Sequence, residues 1–331
     1  MNAPATYQQS QAVNVSTLKA MRRSPLHYLE AVANERRTTK AMGIGIAGHL
    51  LTLEPDRLKD ITVCDIGRET RAWELYDAVR ATGEQPAVYD GAVRRGKAWE
   101  AFEAAHPGQL IALASEWAAV QPLLGAKQIM TSTELDLARA MADAVHAHPE
   151  AHRLLQGGRA EVPIYWTDAE TGVDCKGRVD YLAPGRVVDL KTTADVSPWV
   201  FSRQCARLLT HMQLAFYADG VAGKGQLPDV YVIAVESARP FDVAVYHVRD
   251  DTLAAGRDEY RRLLRRLVEC VEADNWPGVA PEVIDFELPS WAVAQGDEAE
   301  VTLTMGGQAM SFWEVFSEGR IAISEPIFQV R

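Results

Sequence analysis

An α/β fold, with a central mixed β-sheet flanked by helices and helical elements at the N-terminus, is what this chain of 331 residues predicts. Three observations carry that prediction. The stretch 174–193, DCKGRVDYLAPGRVVDLKTT, alternates along each half around a Pro184–Gly185 turn and reads as two strands. A second strand pair, PDVYVIAVESARPFDVAVYHV, is rich in valine and aromatics on both sides of a SARP turn. Helical periodicity fills the segments around them, in TSTELDLARAMADAVHAHPEAHRLL, THMQLAFYADG and DDTLAAGRDEYRRLLRRLVECVEA.

Composition bounds the rest. The chain is 47% hydrophobic and 24% charged, enough to bury a sizeable core. No apolar run reaches the ~20 residues of a membrane span. The first residues, MNAPATYQQSQ, lack the regions of a signal peptide, so the expected location is cytoplasmic and no membrane partner is expected. Four scattered cysteines form no CxxC pair and predict neither a zinc site nor disulfides. A net charge of −11 excludes a protein that coats nucleic acid indiscriminately; a DNA function must concentrate its positive charge locally.

In chain order, residues 1–12 read as a flexible polar N-terminus. Ser16 is placed to cap a helix through LKAMRRSPLHYLEAVAN, interrupted at Pro25 and restarted by Ser24. Arg22 and Arg23, then Arg36, Arg37 and Lys40, form either a solvated basic face or a wall facing phosphates. In GIGIAGHLLTLEP, Gly43, Gly45 and Gly48 permit close backbone approach, and His49 is either a core residue or a ligand. Residues 61–130 read as a helical insertion. It opens on a short strand, ITVCDI, followed by helices in RETRAWELYDAVRATG and RRGKAWEAFEAAHPG. Trp73, Trp99 and Phe102 are expected in its core; Arg94, Arg95 and Lys97 make a further basic cluster. The end of the insertion, QLIALASEWAAVQPLLGAKQ, reads as part strand and part helix.

Thr131 or Ser132 caps the next helix, with Glu134 completing a capping box. Pro149 breaks that helix between His146, His148 and His152 and argues against a zinc site there. GGRAEVPIYWTDAETGVDCKGRVDYL is a hairpin opened by Glu161; Lys176 and Arg178 share the parity of Asp180, which puts them on its face as candidate phosphate contacts. After the DLK strand comes a loop into a long helix. Gln213 and Tyr217, four apart, share one of its faces; Arg203 and Arg207 lie on it or just before it. The last helix, with Arg261, Arg262, Arg265 and Arg266 among leucines, ends at Pro277–Gly278. Residues 278–331 form a small C-terminal appendage, leaving 13–277 as the main domain.

The chemistry gathers at 180–191. Asp189 and Lys191, two apart on a strand, point to one face while Leu190 turns into the core, and Asp180 lies beside them if the strands pair. Two neighbouring carboxylates repel unless a cation sits between them. Hard divalent ions seek such oxygen donors: Mg²⁺ takes one or two carboxylates, keeps its waters and binds substrate phosphate. The lysine would then orient or deprotonate an attacking water, or hold the phosphate.

Asp180…Asp189-Leu190-Lys191 resembles the signature of the PD-(D/E)XK nucleases, with Val179 where the name-giving proline would stand. The wider run is similar to the RecE-type (exonuclease VIII-like) branch found in phages and prophages. It comprises EVPIYW from Glu161, TGVDCKGRVD, VVDLKTT and Gln213-Leu-Ala-Phe-Tyr217-Ala-Asp-Gly, together with VSTLKAMRRSPLHYL and GIAGHLLTLEP. The resemblance covers most of residues 13–220 and implies a restriction-endonuclease-like core. It implies Mg²⁺, with Mn²⁺ substituting, held by Asp180, Asp189 and the carbonyl of Leu190, with His49 and Glu161 completing or tuning the coordination. Lys191 would act on the nucleophile or the phosphate, Gln213 and Tyr217 would sit near DNA or the lysine, and Arg22, Arg23, Arg36, Arg37, Lys176, Arg178, Arg203 and Arg207 would contact DNA. It further implies 5′-to-3′ digestion of double-stranded DNA ends leaving a 3′ single strand, a ring-shaped homo-oligomer, and a RecT-like single-strand-annealing recombinase as partner. An iron–sulfur cluster is not expected, for want of its cysteines. Other readings are a RecB-like or structure-specific endonuclease of the same fold, a non-catalytic DNA-end-binding protein, and a carboxylate-pair glycosidase, in which the lysine would have no role.

Overall fold

The computed structural model describes residues 10–34, 40–67, 70–82, 87–89, 92–94, 104, 107, 113–223, 225–280, 282–289, 302–305 and 308–311. They fall into two compact units, Met1–Pro281 and Glu282–Arg331. Among its described residues the second holds an antiparallel pairing of Thr302–Met305 with Gln308–Ser311.

The first unit is built on a mixed sheet. β1 (Val13–Asn14) precedes helices α1 (Val15–Met21), α2 (Pro25–Ala33) and α3 (Lys40–Leu53). Asn14, not Ser16, caps α1: its side chain accepts from the Thr17 N–H at 2.9 Å. Asn14 is the last extended residue, so its carboxamide reaches the orphan amides of the first turn, whereas Ser16 is already inside the helix. Ser24 caps α2, with Pro25 at its first position.

The 61–130 region contributes β2 (Ile61–Val63), α4 (Arg71–Thr82), β3 (Ala87–Tyr89), β4 (Ala92–Arg94), α5 (Leu113–Val120) and β5 (Gln128–Met130). β2 and β5 pair in parallel, and Trp73 and Trp117 are buried in a small core of their own. The second helix expected in this region, with Arg95, Lys97, Trp99 and Phe102, lies outside the described residues, as do Arg36 and Arg37. α6 (Ser132–Ala147) opens on a capping box between Thr131 and Glu134. α7 (Pro149–Leu154) starts anew at Pro149, and His148 Nδ1 is spent on its N-cap.

The central sheet follows as β6 (Arg159–Thr167), β7 (Asp174–Ala183) and β8 (Arg186–Thr193). The expected single long helix is two, α8 (Pro198–Arg207) and α9 (Thr210–Ala222), because Leu209 turns into the left-handed region at φ +54°. β9 (Asp229–Glu236), β10 (Val243–His247) and α10 (Asp250–Ala273) complete the unit. The strand order is β1-β7-β8-β9-β10, with β6 also on β7. Among the described pairings of this sheet only β8–β9 and β1–β7 are parallel, and α8 and α9 supply the crossover that the β8–β9 pair requires.

One face of the sheet packs on α1, α9 and α10 through Leu18, Met212, Phe216, Tyr260 and Leu264; the other packs on α3, α6 and α7 through Ala47, Met141, Val145 and Leu154. Gly256 lets α10 close on α9, since a Cβ there would sit 2.3 Å from the His211 carbonyl oxygen. Arg261 and Arg265 of α10 lie against Glu170 in the β6–β7 turn, not on a free basic face. Among the described residues no helix is long and apolar enough to cross a membrane.

Candidate active site

The site arises where the sheet's ladders fail. β7 and β8 pair from Ala183↔Arg186 to Tyr181↔Val188 and stop; one step further along that register come Asp180 and Asp189. On the other side of β7, Ala160↔Tyr181 and Val162↔Val179 are paired, but Glu161 and Asp180 between them are not. Glu161 sits at φ +52°, a left-handed position uncommon for a residue with a Cβ and a recurrent mark of functional sites. Glu161, Asp180 and Asp189 thus form a row of carboxylates across three neighbouring strands. Where the ladder opens, Asp180 Oδ2 accepts the Leu190 N–H at 2.9 Å.

The same interruption exchanges the faces of β7. Cys175 and Val179 pack in the first core, Tyr181 and Ala183 in the second. Alternation holds from Cys175 to Val179, and the exchange falls between Val179 and Tyr181, at Asp180. Lys176 is buried and donates from Nζ to the Ser10 carbonyl oxygen at 2.7 Å, tying down the segment before β1. Arg178 stays half exposed and turns to the row, its Nε 2.7 Å from Glu161 Oε2.

Helices from both layers reach the row. From α3, His49 Nε2 lies 2.9 Å from Asp180 Oδ2 and Nδ1 lies 3.3 Å from Glu161 Oε1. α3 approaches closely at Gly45, where a Cβ would meet Thr192 Oγ1 of β8 at 3.0 Å; Gly43 faces open space. From β8 itself, Lys191 Nζ lies 2.5 Å from Asp189 Oδ2. From α9, Gln213 Nε2 donates to Asp189 Oδ1 at 3.2 Å, and Lys19 Nζ of α1 donates to Gln213 Oε1 at 3.1 Å. A lysine only donates, so Lys19 fixes which end of the Gln213 amide faces the carboxylate. Lys19 was not singled out in the sequence; its signal was its place one turn before Arg22 and Arg23.

Tyr217, expected near DNA or Lys191, packs its ring in the first core. Its ring lies against Gly177, where a Cβ would be 2.9 Å from Cε1. The four-residue spacing to Gln213 is helical, but α9 is sandwiched between β7 and α10, so the position one turn on lies under the sheet.

The electrostatics are those of a crowded anionic row. Burial raises the Asp189 carboxyl and outweighs the lowering by Lys191, with Asp180 adding to the rise. For Asp180 burial also raises, but His49 and Lys191 together hold it below the usual range. Burial lowers the Lys191 ammonium, yet Asp189 and Asp180 leave it above its ordinary value. Burial likewise lowers His49, and Asp180 and Glu161 overcome it, raising the imidazole to about 10. In metal-free protein the raised His49 contributes stability that is complete below about pH 6.5. That stability is lost as pH rises through about 10. The melting-temperature difference between wild type and His49→Gln in EDTA is expected to shrink from pH 6 to pH 10; a pH-independent difference would refute the assignment.

A divalent cation fits this donor set. His49, Glu161 and Asp180 offer ligand atoms within 4.8 Å of one another. Asp189 Oδ2 is buried against the Lys191 ammonium at 2.5 Å, and a carboxylate oxygen that meets one cation still has a second lone pair for another. Mostly oxygen donors with one imidazole suit a hard ion such as Mg²⁺ or Mn²⁺.

A row of carboxylates crossing splayed strands, with a lysine two residues after the last, defines the PD-(D/E)XK class of nuclease domain. The chain belongs to the family described as PDDEXK-like domain of unknown function (DUF3799), which it matches over residues 14–286. Among solved structures it is similar to a candidate exonuclease from Eubacterium rectale, with a TM-score of 0.50 and 13% identity over 90% of this chain and all of that one. It is also similar to SSO0001 at 12% identity, over 60% of this chain and 88% of that one, with a TM-score of 0.25. No curated protein matches.

Proposed function

We propose that the chain is a Mg²⁺-dependent exodeoxyribonuclease of the RecE type that degrades linear double-stranded DNA from its ends, 5′ to 3′, and leaves 3′ single strands for annealing recombination. The observation that carries the hydrolytic part is the row Glu161–Asp180–Asp189 with Lys191 beside it and His49 above it. Asp180, Asp189 and the Leu190 carbonyl would hold the ion, with Glu161 and His49 completing or tuning the site. When bound, the ion acidifies a water and neutralises charge gathering on the scissile phosphate. Lys191, charged and two residues from Asp189, is placed to donate to a phosphate oxygen or to orient the water. Gln213 and Lys19 hold Asp189 in one rotamer, so the carboxylate need not reorganise. Hydrolysis breaks one P–O bond: the water's oxygen bonds to phosphorus, its proton leaves to solvent or a neighbouring base, and the sugar oxygen departs protonated.

A second observation supports DNA as substrate. A cavity of about 690 Å³ adjoins the row and is lined by Lys19, Arg22, Arg23, Lys191 and Arg207, with no acidic residue among its described lining. In a chain of net charge −11 this is a concentrated positive site. Polarity, the ring-shaped homo-oligomer, the recombinase partner and a cytoplasmic setting rest on the RecE resemblance.

The test is digestion of linear duplex labelled at one 5′ or one 3′ end, with Mg²⁺ or EDTA. Early release of the 5′ label as mononucleotide, only with Mg²⁺, is the expected result. Equal cutting of a closed circle would favour the endonuclease alternative. Binding of ends with no cleavage would make the chain a DNA-end-binding protein.

A further inference from the structure

α8 carries a feature that hydrolysis does not use. Trp199, Arg203 and Arg207 are spaced by four and form one stripe along the helix. Trp199 is 68% exposed, the largest exposure of any large apolar side chain described in the first unit. The Arg203 guanidinium lies over its ring, 4.5 Å from Cζ to the centroid, and covers one face. The stripe's other end, Arg207, lines the cationic cavity together with Lys191. By helical rise, Trp199 and Arg207 are about 12 Å apart along the axis.

The platform is held rigidly. On the opposite side of α8, Phe201 is buried and stacks on Tyr246 of β10, with centroids 5.0 Å apart and planes within 18°. Ser197 and Pro198 start the helix, so Trp199 sits in its first turn. An indole held in water by an anchored helix, backed by a guanidinium, presents one open π-face beside a line of positive charge. Aromatic faces with flanking cations bind unpaired bases by stacking, while the cations follow the phosphates. Paired bases offer a side chain no face except at an end.

We propose that the Trp199–Arg203–Arg207 stripe is a binding site for single-stranded nucleic acid. One unpaired base stacks on the open face of Trp199, and the attached strand runs along Arg203 to Arg207 and the cavity at Lys191. This rests on the nuclease reading and deepens it: the strand entering the site is already separated from its complement when it reaches α8.

The experiment measures fluorescence anisotropy of labelled oligo(dT), and of a blunt duplex of equal strand length, binding to the full chain in EDTA, where nothing is cut. Trp199→Ala is expected to weaken oligo(dT) binding about 5- to 150-fold. Trp199→Phe is expected to keep most of the affinity, and the duplex to be affected less than the single strand. Unchanged oligo(dT) affinity in Trp199→Ala, with the duplex still bound, overturns this inference and leaves the nuclease reading standing. If wild type binds neither probe, the nuclease reading fails as well. If Trp199→Ala changes the particle mass in light scattering while oligo(dT) binding is unchanged, the tryptophan covers a second copy of the chain and the inference is overturned. The high exposure of Trp199 keeps folding out of the comparison, which circular dichroism of each variant checks.

Discussion

Replacing Asp189 with asparagine is expected to abolish metal-dependent cleavage while making the metal-free protein more stable. Only 1% of the Asp189 side chain is exposed, and it lies in a row with two further carboxylates. Burial pushes its proton affinity up, and Asp180 adds to the rise. A carboxylate in that position costs folding energy, which an active site tolerates because the charge is needed for the ion. Asparagine keeps the shape and one oxygen but removes the charge. Lys191→Ala is expected to lose activity equally, at least about 10²–10³-fold, with the opposite effect on stability. Without its ammonium, Asp189 loses the cation that touches it, and His49 alone is left to offset the repulsion between Asp180 and Asp189. Single-turnover rates in Mg²⁺ and melting temperatures in EDTA decide the matter. Two dead variants with divergent stabilities are expected; activity in either within tenfold of wild type would sink the assignment.

Asp219→Ala is expected to be among the most destabilising substitutions in the chain, although Asp219 touches none of the site residues. It ends the QLAFYAD run of α9 and accepts from Arg257 of α10 through both oxygens, at 2.6 and 2.7 Å, and from the Tyr260 hydroxyl at 2.6 Å. Its side chain is 14% exposed and that of Arg257 21%. Bidentate pairing with a third hydrogen bond is the geometry in which a partly buried ion pair repays its desolvation. Alanine leaves a guanidinium and a phenol without their acceptor, an expected cost of about 3–5 kcal/mol. Since α9 also carries Gln213, activity should fall with stability. Urea unfolding of wild type, Asp219→Ala and Asp219→Asn gives the ranking; a loss under about 1 kcal/mol would mean the pair behaves as a surface salt bridge. Asparagine, which keeps one acceptor oxygen, is expected between the two.

The sequence by itself determined the α/β class, both hairpins, the capping box at Thr131–Glu134, and the convergence of Asp189 and Lys191. Those features are local: alternation over a few residues, a cap three residues from its partner, a turn of two residues at Pro184–Gly185. Over longer spans the tertiary context adds what a local rule does not carry. Alternation along β7 holds from Cys175 to Val179 and reverses at Tyr181, where the ladder to Glu161 breaks. Gln213 and Tyr217 share α9, and the tyrosine ring packs in the core against Gly177. One long helix became α8 and α9 at Leu209, a left-handed residue with no glycine to announce it.

Only the tertiary structure decided how the site is assembled. That His49, 131 residues before Asp180, lies 2.9 Å from it depends on α3 closing on β8 at Gly45. That Lys19 sets the Gln213 amide depends on α1 packing against α9. That five cations surround one cavity in an acidic chain depends on α1, α8 and β8 meeting there. Each of these is a contact between residues far apart along the chain, set by which faces of the layers are apolar and by how closely glycine lets them approach. Period and spacing report the faces of one element at a time, and so place the carboxylates and lysine of the β-hairpin but not the helices that close over them.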